Sequence, residues 1–118
     1  MNTSNEATKY GLDPASLMPF LEELRRFPRL KPRGLMTLAV FCSDMAKVRP
    51  CFALLRRLRD QANAVEPGVI ELSMGMSGDF EEAIAEGSNV VRVGQAVFGK
   101  RPTPDGHYWP GLRGAEQA

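Results

Sequence analysis

The feature that most constrains this chain is a scheme that occurs twice in its second half. Val69-Ile70-Glu71-Leu72-Ser73-Met74 is an apolar run that opens into Gly75, Ser77 and Gly78 and then a helix start at Asp79. Asn89-Val90-Val91-Arg92-Val93-Gly94 repeats the order ahead of Gln95-Ala96-Val97-Phe98. A strand that feeds a small-residue turn and then a helix exposes backbone N–H groups at the turn, and two such turns side by side suit an anion. Chains built of such units place their strands parallel, with the helices as crossovers.

The rest of the chain follows the same alternation. Residues 2–12 read as a loop behind the remnant of a strand. Asp13-Pro14 and Ser16 compete as the start of the next helix. A start at Ser16 leaves Pro19 in the first turn, where a missing N–H is tolerated. Leu17, Phe20, Leu21 and Leu24 recur at helical spacing and give one buried face. Gly34-Leu35-Met36-Thr37 reads as a buried strand, and Ser43 or Asp44 caps a longer helix that buries Cys51, Phe52, Leu55, Leu58 and Ala62. Asp79 and Glu82 have capping-box spacing, Phe80, Ala83 and Ile84 form the inward face of a short helix, and Gly87 stops it. The strands are apolar on both faces, as expected when helices cover a sheet. The fold class is therefore α/β with about four βα units. That is half of a (β/α)8 barrel, which typically needs ~250 residues, whereas this chain has 118. Residues 1–101 read as the half-barrel, and residues 102–118, rich in proline and glycine, as an extended tail.

Composition narrows the partners. Fifteen basic and fourteen acidic residues leave a net charge of +1, which provides no electrostatic footprint for nucleic acid. The Arg56-Arg57-Leu58-Arg59 run reads as a solvated helix face. No apolar run is long enough to span a bilayer, and the N-terminus lacks the pattern of a signal peptide, so no membrane partner and a cytoplasmic location are expected. Cys42 and Cys51 lack metal-ligand spacing and read as reduced thiols. His107 is the single histidine, so no zinc ligand set and no Ser/His/Asp triad can be assembled.

Side chains alternate along residues 90–94, so Val91 and Val93 share one face while Val90, Arg92 and Gly94 share the other. An inward guanidinium needs a partner. Glu71, one strand away with the same parity as Ser73, would make a structural ion pair; the alternative is a ligand held over a cradle of Ser73, Gly75, Ser77 and Gly94. The Gly75 to Gly78 spacing alone is weak, being neither a dinucleotide fingerprint nor a P-loop. Met36, Met74 and Met76 read as core filling.

Leu72-Ser73-Met74-Gly75-Met76-Ser77, Asp79-Phe80, Ala83-Ile84, Glu86-Gly87-Ser88, Val91-Arg92-Val93-Gly94 and Phe98-Gly99 closely resemble the C-terminal signature of the pyridoxal phosphate homeostasis (YggS/PROSC-like) proteins. Gly34-Leu35-Met36, and Asn2-Thr3-Ser4 with Glu6, Lys9 and Gly11, are similar to that family's earlier blocks. The resemblance covers nearly all of residues 2–101. It implies a fold like the N-terminal barrel of alanine racemase, carrying pyridoxal 5'-phosphate (PLP). By that likeness Ser73, Ser77 and the backbone around Gly94 and Gln95 would hold the phosphate, and Arg92 would face the pyridine nitrogen. The resemblance implies a carrier and regulator of vitamin B6 and amino-acid balance, not a catalyst.

One block of that family has no counterpart here. Its Schiff-base lysine lies at the end of the first barrel strand, and Lys9, Lys31, Lys47 and Lys100 do not match that site. Lys9 is the nearest candidate to take the role. The chain therefore looks like strands five to eight of the barrel, with covalent attachment of PLP in question. An amino-acid racemase-like enzyme and an inactive half-barrel fragment are the alternatives. Two unpaired strand edges imply a homo-oligomer.

Overall fold

Residues 1–7 and 9–103 are described by the computed structural model of the chain. The two candidate starts of the first helix are both used. Pro14–Ser16 forms a single 3-10 turn and α1, Leu17–Leu24, follows with Ser16 at its N-cap, which leaves Pro19 in the first turn. Neither Asp13 nor Ser16 makes a side-chain capping bond. Leu17 and Leu21 are buried, whereas Phe20 is half exposed and lines an apolar groove between α1 and the neighbouring strand.

Strand β1, Gly34–Met36, pairs in parallel with β2, Glu71–Ser73, in the register Gly34 to Glu71, Leu35 to Leu72 and Met36 to Ser73. Glycine is required at position 34, because a Cβ there would run into the Glu71 carbonyl oxygen. The crossover is α2, Met45–Val65, started by Asp44, whose Oδ1 accepts the Ala46 N–H at 3.0 Å. Its buried stripe is the expected one with Val48 added: Val48, Cys51, Phe52, Leu55, Leu58 and Ala62. The stripe serves two clusters. Val48, Phe52 and Leu55 pack on Leu72, Met74 and Ala83, while Leu58 and Ala62 pack on Leu17, Leu21 and Val69. Each large side chain fully removed from water stabilises the fold by roughly 1.5–3 kcal/mol. The opposite side of α2 carries the arginines, of which Arg49 and Arg56 pair with Glu86 at 3.0 and 3.1 Å.

Helix α3, Phe80–Ala85, buries Ala83 but leaves Ile84 exposed, so its inward face is narrower than the apolar pattern suggests. Six residues make less than two turns, and only one position can point squarely at α2. Gly87, at φ 103°, ends it, with the Ser88 N–H returning to the Ala83 carbonyl at 2.9 Å. The strand expected over residues 90–94 is reduced to one parallel bridge, Ser73 to Val90, followed by bonds from Met74 N–H to Val90 O and from Arg92 N–H to Gly75 O. Gly75 has φ 104°, which is not strand geometry, so the Arg92 bond to its carbonyl does not continue a regular ladder. A short α4, Gln95–Phe98, follows.

On the other side of β1, residues 1–3 lie against Met36 and Thr37 without forming a strand, so the expected strand remnant is not seen there. The Met1 amino group donates to the Met36 carbonyl at 2.8 Å, and the Thr37 hydroxyl donates to the Met1 carbonyl at 2.9 Å. Burial lowers the pKa of that amino group below its ordinary 8.0. Among the described residues no helix is long and apolar enough to cross a membrane, and no group of acidic, histidine or cysteine side chains could hold a metal ion. The extended tail expected over residues 102–118 lies, beyond residue 103, outside the described residues, as does His107.

Candidate functional site

Leu35, Leu72 and Met74 face the helices, so alternation turns Gly34, Met36, Glu71, Ser73, Val90 and Arg92 to the opposite face of the sheet. The candidate site lies where that face meets the loops that leave β2 and residues 90–93. Ser73 stands at the end of β2, and its carbonyl accepts the Thr37 N–H at 3.1 Å. Gly75 is buried, and a Cβ on it would come to 2.8 Å from the Ala83 Cβ, so the first loop can lie against α3 only with glycine there.

The two loops are joined directly. The Ser77 hydroxyl accepts the Ala96 N–H at 3.1 Å. A hydroxyl that accepts one bond keeps its own proton to donate, so Ser77 retains an O–H for an anion. Gly94 precedes α4, and its carbonyl accepts the Val97 and Phe98 N–H groups. Nothing lies within 4 Å of where a Cβ would stand on Gly78 or Gly94, which leaves open space over both loops. Ser73, Gly75, Ser77, Gly94 and Gln95 are thus parts of two adjoining loops, with Gln95 opening α4.

Many N–H groups of this region are already used inside the chain, two of them by side chains. Ala96 bonds Ser77, and Met76 donates to Asp79 Oδ1 at 2.7 Å. The second bond corrects the reading of Asp79 as one half of a capping box. It occupies the N-cap position of α3 without a side-chain cap bond, because its carboxylate reaches back to fix the loop. Glu82, the expected other half, lies 3.5 Å from Arg49.

Arg92 points to the inner face as its parity requires, and Glu71 is not its partner. Nη2 donates to the Thr37 carbonyl at 2.8 Å and Nη1 lies 3.6 Å from the Met36 sulfur. Its Nε is buried and has no hydrogen-bond partner among the described residues. A buried donor without a partner costs about 1–3 kcal/mol, so this atom marks a place where an acceptor would be stabilised. Met36 is consequently half exposed beside the guanidinium, and Met76 is exposed in the first loop; of the three methionines read as core filling, only Met74 is in the core.

Lys9 does not stand free. Its ammonium donates to the Leu38 and Ala39 carbonyls at 2.9 and 2.8 Å and lies 3.3 Å from Glu6. Thr37, which nothing in the sequence pattern singles out, is the hub of this end of the sheet. It is almost fully buried, and its hydroxyl meets Met1 and Thr3, its N–H meets Ser73 and its carbonyl meets Arg92. The one available signal was a hydroxyl at the end of an apolar strand, where a polar atom has to find bonds.

The Ser77 hydroxyl with its proton to donate, the open space over Gly78 and Gly94 and the unpartnered Arg92 Nε are the features here that suit an anionic or acceptor-bearing ligand. Comparison with known proteins shows the family. Residues 1–102 match the family model described as alanine racemase, N-terminal domain. A pyridoxal phosphate homeostasis protein of Vibrio cholerae is 42% identical over 101 residues, covering 86% of this chain and 43% of that protein. The human protein of the same name is 39% identical, with 89% and 42% covered. A solved structure of an unknown protein from Bifidobacterium adolescentis superposes with a TM-score of 0.76 at 40% identity, covering 81% of this chain and 40% of that one. PipY of Synechococcus elongatus, solved with PLP bound, superposes with a TM-score of 0.69 at 37% identity, covering 75% and 43%. The chain spans less than half the length of these relatives. Its parallel strands and interleaved helices are part of an α/β barrel of the TIM type.

Proposed function

The chain belongs to the alanine racemase N-terminal domain family, and from that premise we propose that it holds pyridoxal 5'-phosphate and takes part in vitamin B6 and amino-acid balance rather than in catalysis. Ser73, Gly75, Ser77, Gly94 and Gln95 would hold the phosphate, and Arg92 would face the pyridine nitrogen. The observation that carries this reading is the Ser77 to Ala96 bond, which ties the two loops together and leaves the serine proton for an anion oxygen.

PLP supplies an electron-withdrawing ring when its nitrogen is protonated. A guanidinium can donate a hydrogen bond to that nitrogen but does not give up its proton, so Arg92 orients the ring without strengthening it as an electron sink. Lys9 Nζ is occupied by two carbonyls and Glu6 rather than presented as a nucleophile. Both features favour non-covalent holding over a racemase-like reaction. The names of the relatives, pyridoxal phosphate homeostasis protein, support the same reading.

Titration with PLP and with pyridoxal, which lacks the phosphate, tests this directly. PLP binds and pyridoxal binds at least about tenfold more weakly if the loops hold the phosphate. Equal affinity for the two contradicts the assignment. Self-association belongs to the same reading, since alternation turns the Val91 N–H away from β2 toward an open strand edge. A strictly monomeric mass by light scattering at micromolar concentration contradicts that part.

A further inference from the structure

Three consecutive carbonyls at the end of β1 are taken by two cations that come from opposite ends of the sequence. Arg92 Nη2 holds the Thr37 oxygen at 2.8 Å, and Lys9 Nζ holds the Leu38 and Ala39 oxygens at 2.9 and 2.8 Å. Thr37 itself cannot shift easily, since it is 1% exposed and bonded through its hydroxyl and N–H to residues 1–3 and Ser73. The next two peptides have no such anchor within the sheet, because β1 ends at Met36. Ala39 and Val40 pack on the core, and the ammonium supplies the hydrogen bonds that direct the Leu38 and Ala39 carbonyls. Glu6, 3.3 Å from Lys9 Nζ, offsets part of the repulsion between the two cations.

We propose that Lys9 is a positioning residue for Arg92. By fixing the Leu38 and Ala39 peptides, the ammonium sets the direction of the Thr37 carbonyl, and that carbonyl holds the guanidinium with its Nε inward. This deepens the reading in which Arg92 meets the ring of PLP, and rests on it. Lys9 thus acts on the ligand through the loop after β1, without touching it, and an ammonium suits the task because its bonds to the two carbonyls are charge-assisted and stronger than those of a neutral donor.

The test compares Lys9→Met, Lys9→Arg, Arg92→Ala and the double variant Lys9→Met/Arg92→Ala with the wild type. PLP affinity, the absorbance maximum of the bound cofactor, and the inhibition constant of inorganic phosphate are measured for each. Lys9→Met is expected to weaken PLP about tenfold, to move the absorbance maximum toward that of the Arg92→Ala complex, and to leave the inorganic phosphate constant unchanged. Lys9→Arg, which keeps the charge and several donors, restores the band. The double variant is no weaker than Arg92→Ala alone. Additive losses in the double variant, or a wild-type band in Lys9→Met, overturn the inference while leaving PLP binding intact; absence of saturable PLP binding by the wild type instead overturns the underlying reading and the inference with it. Should Lys9→Met fail to fold, Lys9→Gln, whose shorter and uncharged side chain keeps N–H donors but loses the charge-assisted bonds, gives the same comparison.

Discussion

The Ser77 hydroxyl accepts the Ala96 N–H at 3.1 Å, so a side chain from the loop after β2 sets the position of the loop that opens α4. Alanine at position 77 removes both this tie and the proton left for an anion. Ser77→Ala is expected to weaken PLP by about tenfold or more, while the loss of one hydrogen bond between surface loops costs the fold no more than about 0.5–1.5 kcal/mol. Calorimetric titration and urea unfolding of the same preparation separate the two effects.

Gly75 and Gly78 lie in the same loop but answer to different constraints. Gly75 has φ 104° and no room for a Cβ beside Ala83, whereas the space over Gly78 is open. Gly75→Ala should lower the unfolding free energy by about 1–3 kcal/mol. Gly78→Ala should stay within about 1 kcal/mol of wild type and reveal itself in weaker PLP binding, because a methyl group then occupies the cradle. Urea midpoints for the pair, with one PLP titration each, check both statements.

Asp79 fixes the first loop from below by accepting the Met76 N–H at 2.7 Å. Asp79→Ala frees that donor and loosens the turn ahead of α3, with an expected cost of about 0.5–2 kcal/mol. Asp79→Asn, whose carbonyl can still accept, should recover most of it. Equal losses in the two variants would show that the carboxylate charge, and not the bond to Met76, is what matters.

Phe52 is almost fully buried and joins α2 to β2 and α3 through Leu72, Met74 and Ala83. Phe52→Ala should cost about 3–5 kcal/mol, enough to unfold a domain of marginal stability. The readout is the thermal midpoint with and without saturating PLP. If the cradle forms only in the folded state, PLP raises the midpoint of the variant as well.

Local pattern carried much of the fold. The alternation of apolar runs and helical stripes, the Asp44 cap, the buried stripe of α2 and the stop at Gly87 each follow from residues within a few positions of one another. The loops of the candidate site were legible for the same reason, since Ser73, Gly75, Ser77 and Gly94 sit where strands end. What could not be read were bonds between distant segments. Arg92 and Thr37 are 55 positions apart, and Lys9 lies 29 and 30 positions from its carbonyls, so no periodicity connects them. The strand over residues 90–94 was overestimated because β-branched residues mark an extended chain and say nothing of whether a partner strand continues. The positive φ of Gly75 takes the partner out of strand geometry, although its carbonyl still accepts the Arg92 N–H.

The most direct measurement is a PLP titration followed by absorbance, with and without borohydride, for the wild type, Ser77→Ala and Arg92→Ala, with inorganic phosphate as competitor. The expected result is saturable wild-type binding that phosphate displaces, that both substitutions weaken, and that leaves no adduct on the protein after borohydride reduction and denaturation. Binding indifferent to both substitutions, or a reduced adduct carried by a lysine, would contradict non-covalent holding by these loops.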